Sequence, residues 1–161
     1  MTEQIADQIT AAKTKEEVLD ILVKGLTEDL TASATAVFWI DQENDKIYGG
    51  AAWPEELEKM IRKVVVSMDD RSSIMASMLR TNSPLVVDDA VNDPRGKKWL
   101  VALFKAKSFV IAPIVTDKKV IGIVGVGEIE NTRHFTSREV EKIQYLASKT
   151  GAAMERLELQ I

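Results

Sequence analysis

Two amphipathic helices bracket this chain, and each carries a marked start. Thr14-x-x-Glu17 and Thr136-x-x-Glu139 are capping boxes, in which each side chain can satisfy a backbone N–H that the first helical turn leaves free. After the first box, Val18, Leu22, Leu26 and Leu30 recur every four residues, with Leu19 and Val23 beside them, so one face is apolar. After the second, Val140, Ile143, Ala147, Thr150, Met154, Leu157 and Ile161 alternate spacings of three and four, a heptad seam with one polar member. A shorter helix over Thr2 to Ala12, with Ile5, Ile9 and Ala12 on one stripe, precedes both. Apolar faces of this size need a partner surface, and the segment between the helices has to provide it. Because the seam runs to the last residue, we expect the final helix to leave the core and meet a partner.

The intervening segment reads as strands and short helices. Ala34 to Ile40 and Ile47 to Trp53 are rich in β-branched and aromatic residues and flank the polar turn 41–46, which predicts an antiparallel hairpin. Pro54 opens a helix through Leu57, Met60 and Ile61. Val64 to Val66 suits a strand or an apolar helix end. Ser72 to Arg80 reads as a helix, and Pro84 to Val87 as a short strand at a sheet edge. Asp93-Pro94-Arg95-Gly96 is loop, and Trp99, Leu100, Leu103 and Phe104 stand at helical spacing. Phe109 to Val115 and Val120 to Val126 form a second hairpin. With no flexible linker, residues 1–161 read as a single domain with a helix over 1–13 and another over 136–161. The order predicts an α+β fold: a mostly antiparallel sheet of about five or six strands, terminal helices on one face, and the middle segment, roughly 54–107, with a pocket on the other.

Composition removes several classes of function. The net charge of −4 gives no basic footprint for nucleic acid. No stretch holds the ~20 apolar residues needed to cross a bilayer, and the acidic start Met1-Thr2-Glu3 is not that of a secretory leader. We therefore expect a cytosolic protein that binds neither nucleic acid nor membrane. The chain has no cysteine and a single histidine, His134. Thiolate catalysis, thiolate metal centres and covalent thioether cofactors are chemically unavailable, and no metal site is expected.

Four segments resemble the GAF domain family in order and spacing. They are Pro84-Leu85-Val86-Val87-Asp88-Asp89 followed by Asp93-Pro94-Arg95, then 107–114 around Ser108 and Pro113, then Val120-Ile121-Gly122-Ile123-Val124-Gly125-Val126, and last Arg133-His134-Phe135-Thr136-Ser137-Arg138-Glu139. The resemblance implies a GAF-like, profilin/PAS-like fold. It also implies a sensory role in signal transduction, with a small molecule held between sheet and middle segment. Pairing as a homodimer through the terminal helices and an attached output domain are further implications. Family members that bind cyclic nucleotides carry a signature whose places are filled here by Asn131, Thr132, Phe135, Glu139 and Val140. Thr132 replaces its lysine, so we expect its ion pair to be missing, which argues against a cyclic nucleotide. The family's bilin-holding and methionine sulfoxide-reducing members use cysteine, which this chain lacks.

Candidate ligand-binding residues are Trp99, Ser108, Asp88, Asp93, Phe104, Phe109 and Ser73. Each has a plainer alternative. Asp88 suits a turn cap and Asp93 a bond to its own loop backbone before Pro94, Ser72 beside Ser73 suits a helix cap, and the aromatics suit a core. Arg95, Lys97 and Lys98 form a basic cluster that suits either an anion or solvent. The leading expectation is a sensory ligand-binding domain without catalytic activity. The alternative is a ligand-free dimerisation and transmission module whose pocket is filled by Phe109, Trp99 and Met78. An enzyme using Asp88 and Glu128 as acid and base has no motif behind it.

Overall fold

A computed structural model describes residues 1–67, 78, 80–94, 105–116 and 119–158. Its elements are α1 (Thr2–Ala11), α2 (Lys15–Leu30), β1 (Ala34–Asp41), β2 (Lys46–Trp53), α3 (Glu55–Ile61), β3 (Val65–Ser67), β4 (Leu85–Val87), β5 (Ser108–Val115), β6 (Val120–Glu128) and α4 (Ser137–Glu158). The six strands form one sheet in the order β3-β2-β1-β6-β5-β4, and all neighbours run antiparallel. The fold is α+β as expected, and Val65–Ser67 resolves as an edge strand. Pro113 falls inside β5, yet β4 reaches only as far as Ile111, so the proline lies where no outer strand has a ladder bond to make.

Each strand divides its side chains between the two faces. Val37, Val110, Ala112, Ile114, Val124 and Val126 meet α1, α2 and α4. Phe38, Ile47, Phe109, Ile111 and Ile123 meet Leu57 and Ile61 of α3, together with Met78, on the opposite side. The capping boxes form at both helices. Thr14 accepts from the Glu17 N–H at 3.1 Å, while the Glu17 carboxylate reaches back to the Lys13 N–H rather than to Thr14. At α4 the exchange is reciprocal, 3.2 Å from the Glu139 N–H to the Thr136 hydroxyl and 2.9 Å from the Thr136 N–H to Glu139.

The heptad seam behaves differently from expectation. Ile143, Ala147, Thr150, Met154 and Leu157 are buried within the chain's own core. The polar member, Thr150, donates to the Leu146 carbonyl at 2.8 Å and needs no partner outside its helix. Contact with the sheet is close: a Cβ at Gly151 would fall 2.0 Å from the Val115 carbonyl oxygen, so only glycine lets α4 lie there. The described part of the stripe is thus a core face, and Ile161 lies outside the described residues. A face seated on a broad sheet needs the same apolar spacing as a narrow coiled-coil seam over this length, which is why spacing could not separate the two. No helix among the described residues is long and apolar enough to cross a membrane.

Met154→Asp should therefore unfold the domain rather than dissociate an oligomer. The expected cost is roughly 3 kcal/mol or more, because the carboxylate would be buried without a partner. Urea denaturation followed by circular dichroism, alongside sedimentation of the folded fraction, separates the outcomes. An unchanged unfolding midpoint with a smaller species would contradict the core assignment.

Candidate functional site

Three residues at one end of the sheet join its two faces. Ser108, fully buried at the start of β5, donates its hydroxyl hydrogen to the Asp88 carbonyl just after β4. The same oxygen accepts the Arg133 N–H at 2.7 Å. Asp88 leads toward the middle segment, and Arg133 leads into α4. Ser108 therefore spends its hydrogen-bonding capacity inside the chain, which accounts for its burial without a ligand.

The Arg133 guanidinium meets four groups. It contacts Glu128 at the end of β6 at 2.8 Å and pairs with Glu139 in the first turn of α4. It also donates to the carbonyls of Leu30 at 2.7 Å and Thr31 at 3.3 Å. Those carbonyls end α2, whose last turn has no basic residue of its own. A helix C-terminus leaves carbonyls without intrahelical partners and favours positive charge. The guanidinium also lies 4.8 Å from the Phe135 ring centroid, within cation–π range. Glu128 is fixed from its other side by the Ser33 hydroxyl at 2.9 Å. Burial works to lower the Arg133 pKa, but the hydrogen bonds and charges of Glu128 and Glu139 outweigh it and the pKa rises. Burial likewise pushes Glu139 up, and the Thr136 N–H together with Arg133 overcome it, so Glu139 sits below its ordinary value.

The other candidates divide. Asp88 is exposed, and its carboxylate faces the exposed His134 ring at 2.9 Å. Asp89, not Asp88, closes the following turn, binding the Asn92 side-chain amide at 2.7 Å. Asp93 is half-buried, with its N–H on the Asp89 carbonyl at 2.9 Å. Phe109 is buried among Phe38, Ile111 and Met78 as core. Ser73, Trp99 and Phe104 lie outside the described residues, as do Ser72, Arg95, Lys97 and Lys98. The described structure thus joins Ser108 to Asp88 by a hydrogen bond, with Phe109 paired to Val87 beside them and its side chain in the core.

A large open cleft lies elsewhere, on the terminal-helix face. Its volume is about 830 Å³, in the range of small-molecule sites. Leu19, Ala51, Ile121 and Met154 line it with apolar surface, around Trp39 and Gly50. Lys15, Glu16, Asp20, Arg62, Lys119, Glu155 and Glu158 place charge along it. Trp39 pairs with Tyr48 on β2 and Gly122 on β6, and its indole lies against Gly122 and the diagonal Gly50. A Cβ at Gly50 would stand 2.8 Å from the indole nitrogen, and one at Gly122 2.8 Å from ring carbon Cε3. The bulge between Val37 and Phe38 sets Gly50 in this place. Asp20 has its pKa raised, first by burial and then by Glu58 and Glu16, against the opposing pull of Arg62. Among the described residues no cluster could hold a metal ion.

A family model described as "GAF domain" matches residues 12–155. The chain belongs to the GAF domain family. Solved structures agree in fold. Residues 122 to 287 of a methyl-accepting chemotaxis protein superpose with TM-score 0.80 at 23% identity, covering 98% of each chain. The GAF domain of a phosphoenolpyruvate-protein phosphotransferase from Coxiella burnetii gives 0.82 at 20%, covering 99% of this chain and 93% of that one. Free methionine-R-sulfoxide reductase from Neisseria meningitidis, solved with its substrate, gives 0.80 at 13%, covering 99% and 89%. No curated protein matches the chain in sequence. GAF domains thus serve in sensory and signalling proteins, and this one shares their architecture. Thr132 occupies the lysine place of the cyclic-nucleotide signature and cannot form its ion pair; Glu139 pairs instead with Arg133, one residue on.

Arg133→Ala should cost about 2–3 kcal/mol, since it leaves two part-buried carboxylates and two helix-end carbonyls without their donor. Arg133→Lys should recover only part of this, because an ammonium cannot span the fork. Denaturant midpoints check both. Glu139 has a folded pKa below its unfolded one, so its contribution is full above the unfolded value of about 4.3 and is lost as pH falls through the folded value. Glu139→Gln should be less stable at neutral pH and show a shallower loss of stability on acidification below about pH 4.3. A pH series of melting curves for the two proteins would register the difference.

Proposed function

We propose that this GAF domain is a non-catalytic, cytosolic regulatory module. A small molecule held between the sheet and the middle segment biases the position of its terminal helices. The observation that carries the reading is the Ser108 hydroxyl, bonded at once to the Asp88 carbonyl and the Arg133 N–H. A displacement on the middle-segment side of the sheet reaches the start of α4 and the end of α2 through three residues. Family membership supports a sensory role, and the lack of cysteine removes the nucleophile on which the family's reductases depend. For such a module, a ligand acts only by binding two states unequally.

A thermal-shift screen of small metabolites tests the reading, with Ser108→Ala as its companion. A ligand present at ~100 times its dissociation constant adds ~2.7 kcal/mol. The expected result is a hit whose binding also alters hydrogen exchange in the first turn of α4, with that distant effect diminished in Ser108→Ala. A broad screen without any shift would count against ligand control. It would favour the second reading, a ligand-free dimerisation module. The burial of Met78 and Phe109 in one cluster supports that alternative. Its dimer would use a surface other than the buried α4 stripe, and a monomer in sedimentation equilibrium would dismiss it.

A further inference from the structure

The cleft on the terminal-helix face has no role in the function proposed above, and its chemistry is specific. Its floor includes the half-buried Trp39, whose indole lies against Gly50 and Gly122, where any Cβ would collide with it. An aromatic face attracts cations, and more strongly when water is partly excluded. Among the described residues four acids, Glu16, Asp20, Glu155 and Glu158, line it against three bases. Lys15 is paired with Glu158 and Arg62 is held by Glu58 at 2.7 Å, while Lys119 lines it from just before β6. Asp20 and Glu155 carry no hydrogen bond or ion pair among the described residues. Partial desolvation and the repulsion of Glu58 and Glu16 disfavour the charge on Asp20 against the pull of Arg62, and a bound cation would relieve it. We propose that this cleft is a binding site for a small organic cation, an amine on a flat apolar body, with the body on the Trp39 indole and the ammonium toward Asp20 and Glu155. The site spans α2, α4 and the sheet, so occupancy would brace the two long helices against each other, independently of any ligand on the opposite face.

Phenethylamine serves as the probe, with 2-phenylethanol and 3-phenylpropionate as its neutral and anionic counterparts. The readout is the indole N–H resonance of Trp39 in nitrogen-15-labelled protein, assigned among the three tryptophans by Trp39→Phe. The amine should shift that resonance saturably, and the alcohol should bind about tenfold more weakly. Asp20 is exposed, so Asp20→Asn should leave the fold intact and weaken the amine by a similar factor. The proposal is overturned if 3-phenylpropionate binds as tightly as the amine, if Asp20→Asn leaves its affinity unchanged, if the shifts map outside the cleft, or if no saturable shift occurs up to the amine's solubility.

Discussion

Arg133 is the interaction on which the arrangement of the helices depends. Its guanidinium closes the carbonyl end of α2, neutralises Glu128 at the end of β6 and anchors the first turn of α4 through Glu139. Three elements distant in sequence are thereby fixed to one planar group. The same device recurs at the other end of the helical layer. Arg156 of α4 donates to the Ala12 carbonyl at 2.9 Å, at the end of α1. Neither α1 nor α2 has a basic residue in its last turn. Both end instead on an arginine brought from the C-terminal part of the chain, so the helix ends are completed only once the tertiary fold has formed.

The sheet beneath this layer keeps two separate environments. On one side α1, α2 and α4 bury Val37, Val110, Ile114, Val124 and Val126, apart from the cleft over Trp39. On the other, Phe38, Phe109 and Ile111 pack against α3 and Met78. The strands are common to both, and Ser108 is the place where polar contacts from the two sides converge. Under the function proposed above, this shared hydroxyl is the link through which a displacement on one side would reach the other.

Most of the architecture was legible in the sequence because it is written in local patterns. Capping boxes, β-branched runs and turn residues placed the helices and both hairpins, and four ordered segments gave the family. The misreadings came where tertiary context decides. The stripe from Val140 to Leu157 has the spacing of a coiled-coil seam, and only the position of the sheet reveals it as core. Ser108 resembled a pocket residue, yet its partners, the Asp88 carbonyl and the Arg133 N–H, are backbone groups without a sequence signature. Arg133 stood inside a motif and was given no role, since nothing local announces that it completes a helix a hundred residues earlier. The cleft floor was missed for a related reason: Gly50 and Gly122 read as ordinary strand glycines until they flank one indole.

Hydrogen exchange on Arg133→Gln, compared with wild type, tests this account most directly. If Arg133 joins the three elements, protection should fall together at the end of α2, in the first turn of α4 and beside β4, while the centres of β1 and β6 keep theirs. Loss confined to the turn just before α4, with the end of α2 still protected, would contradict it.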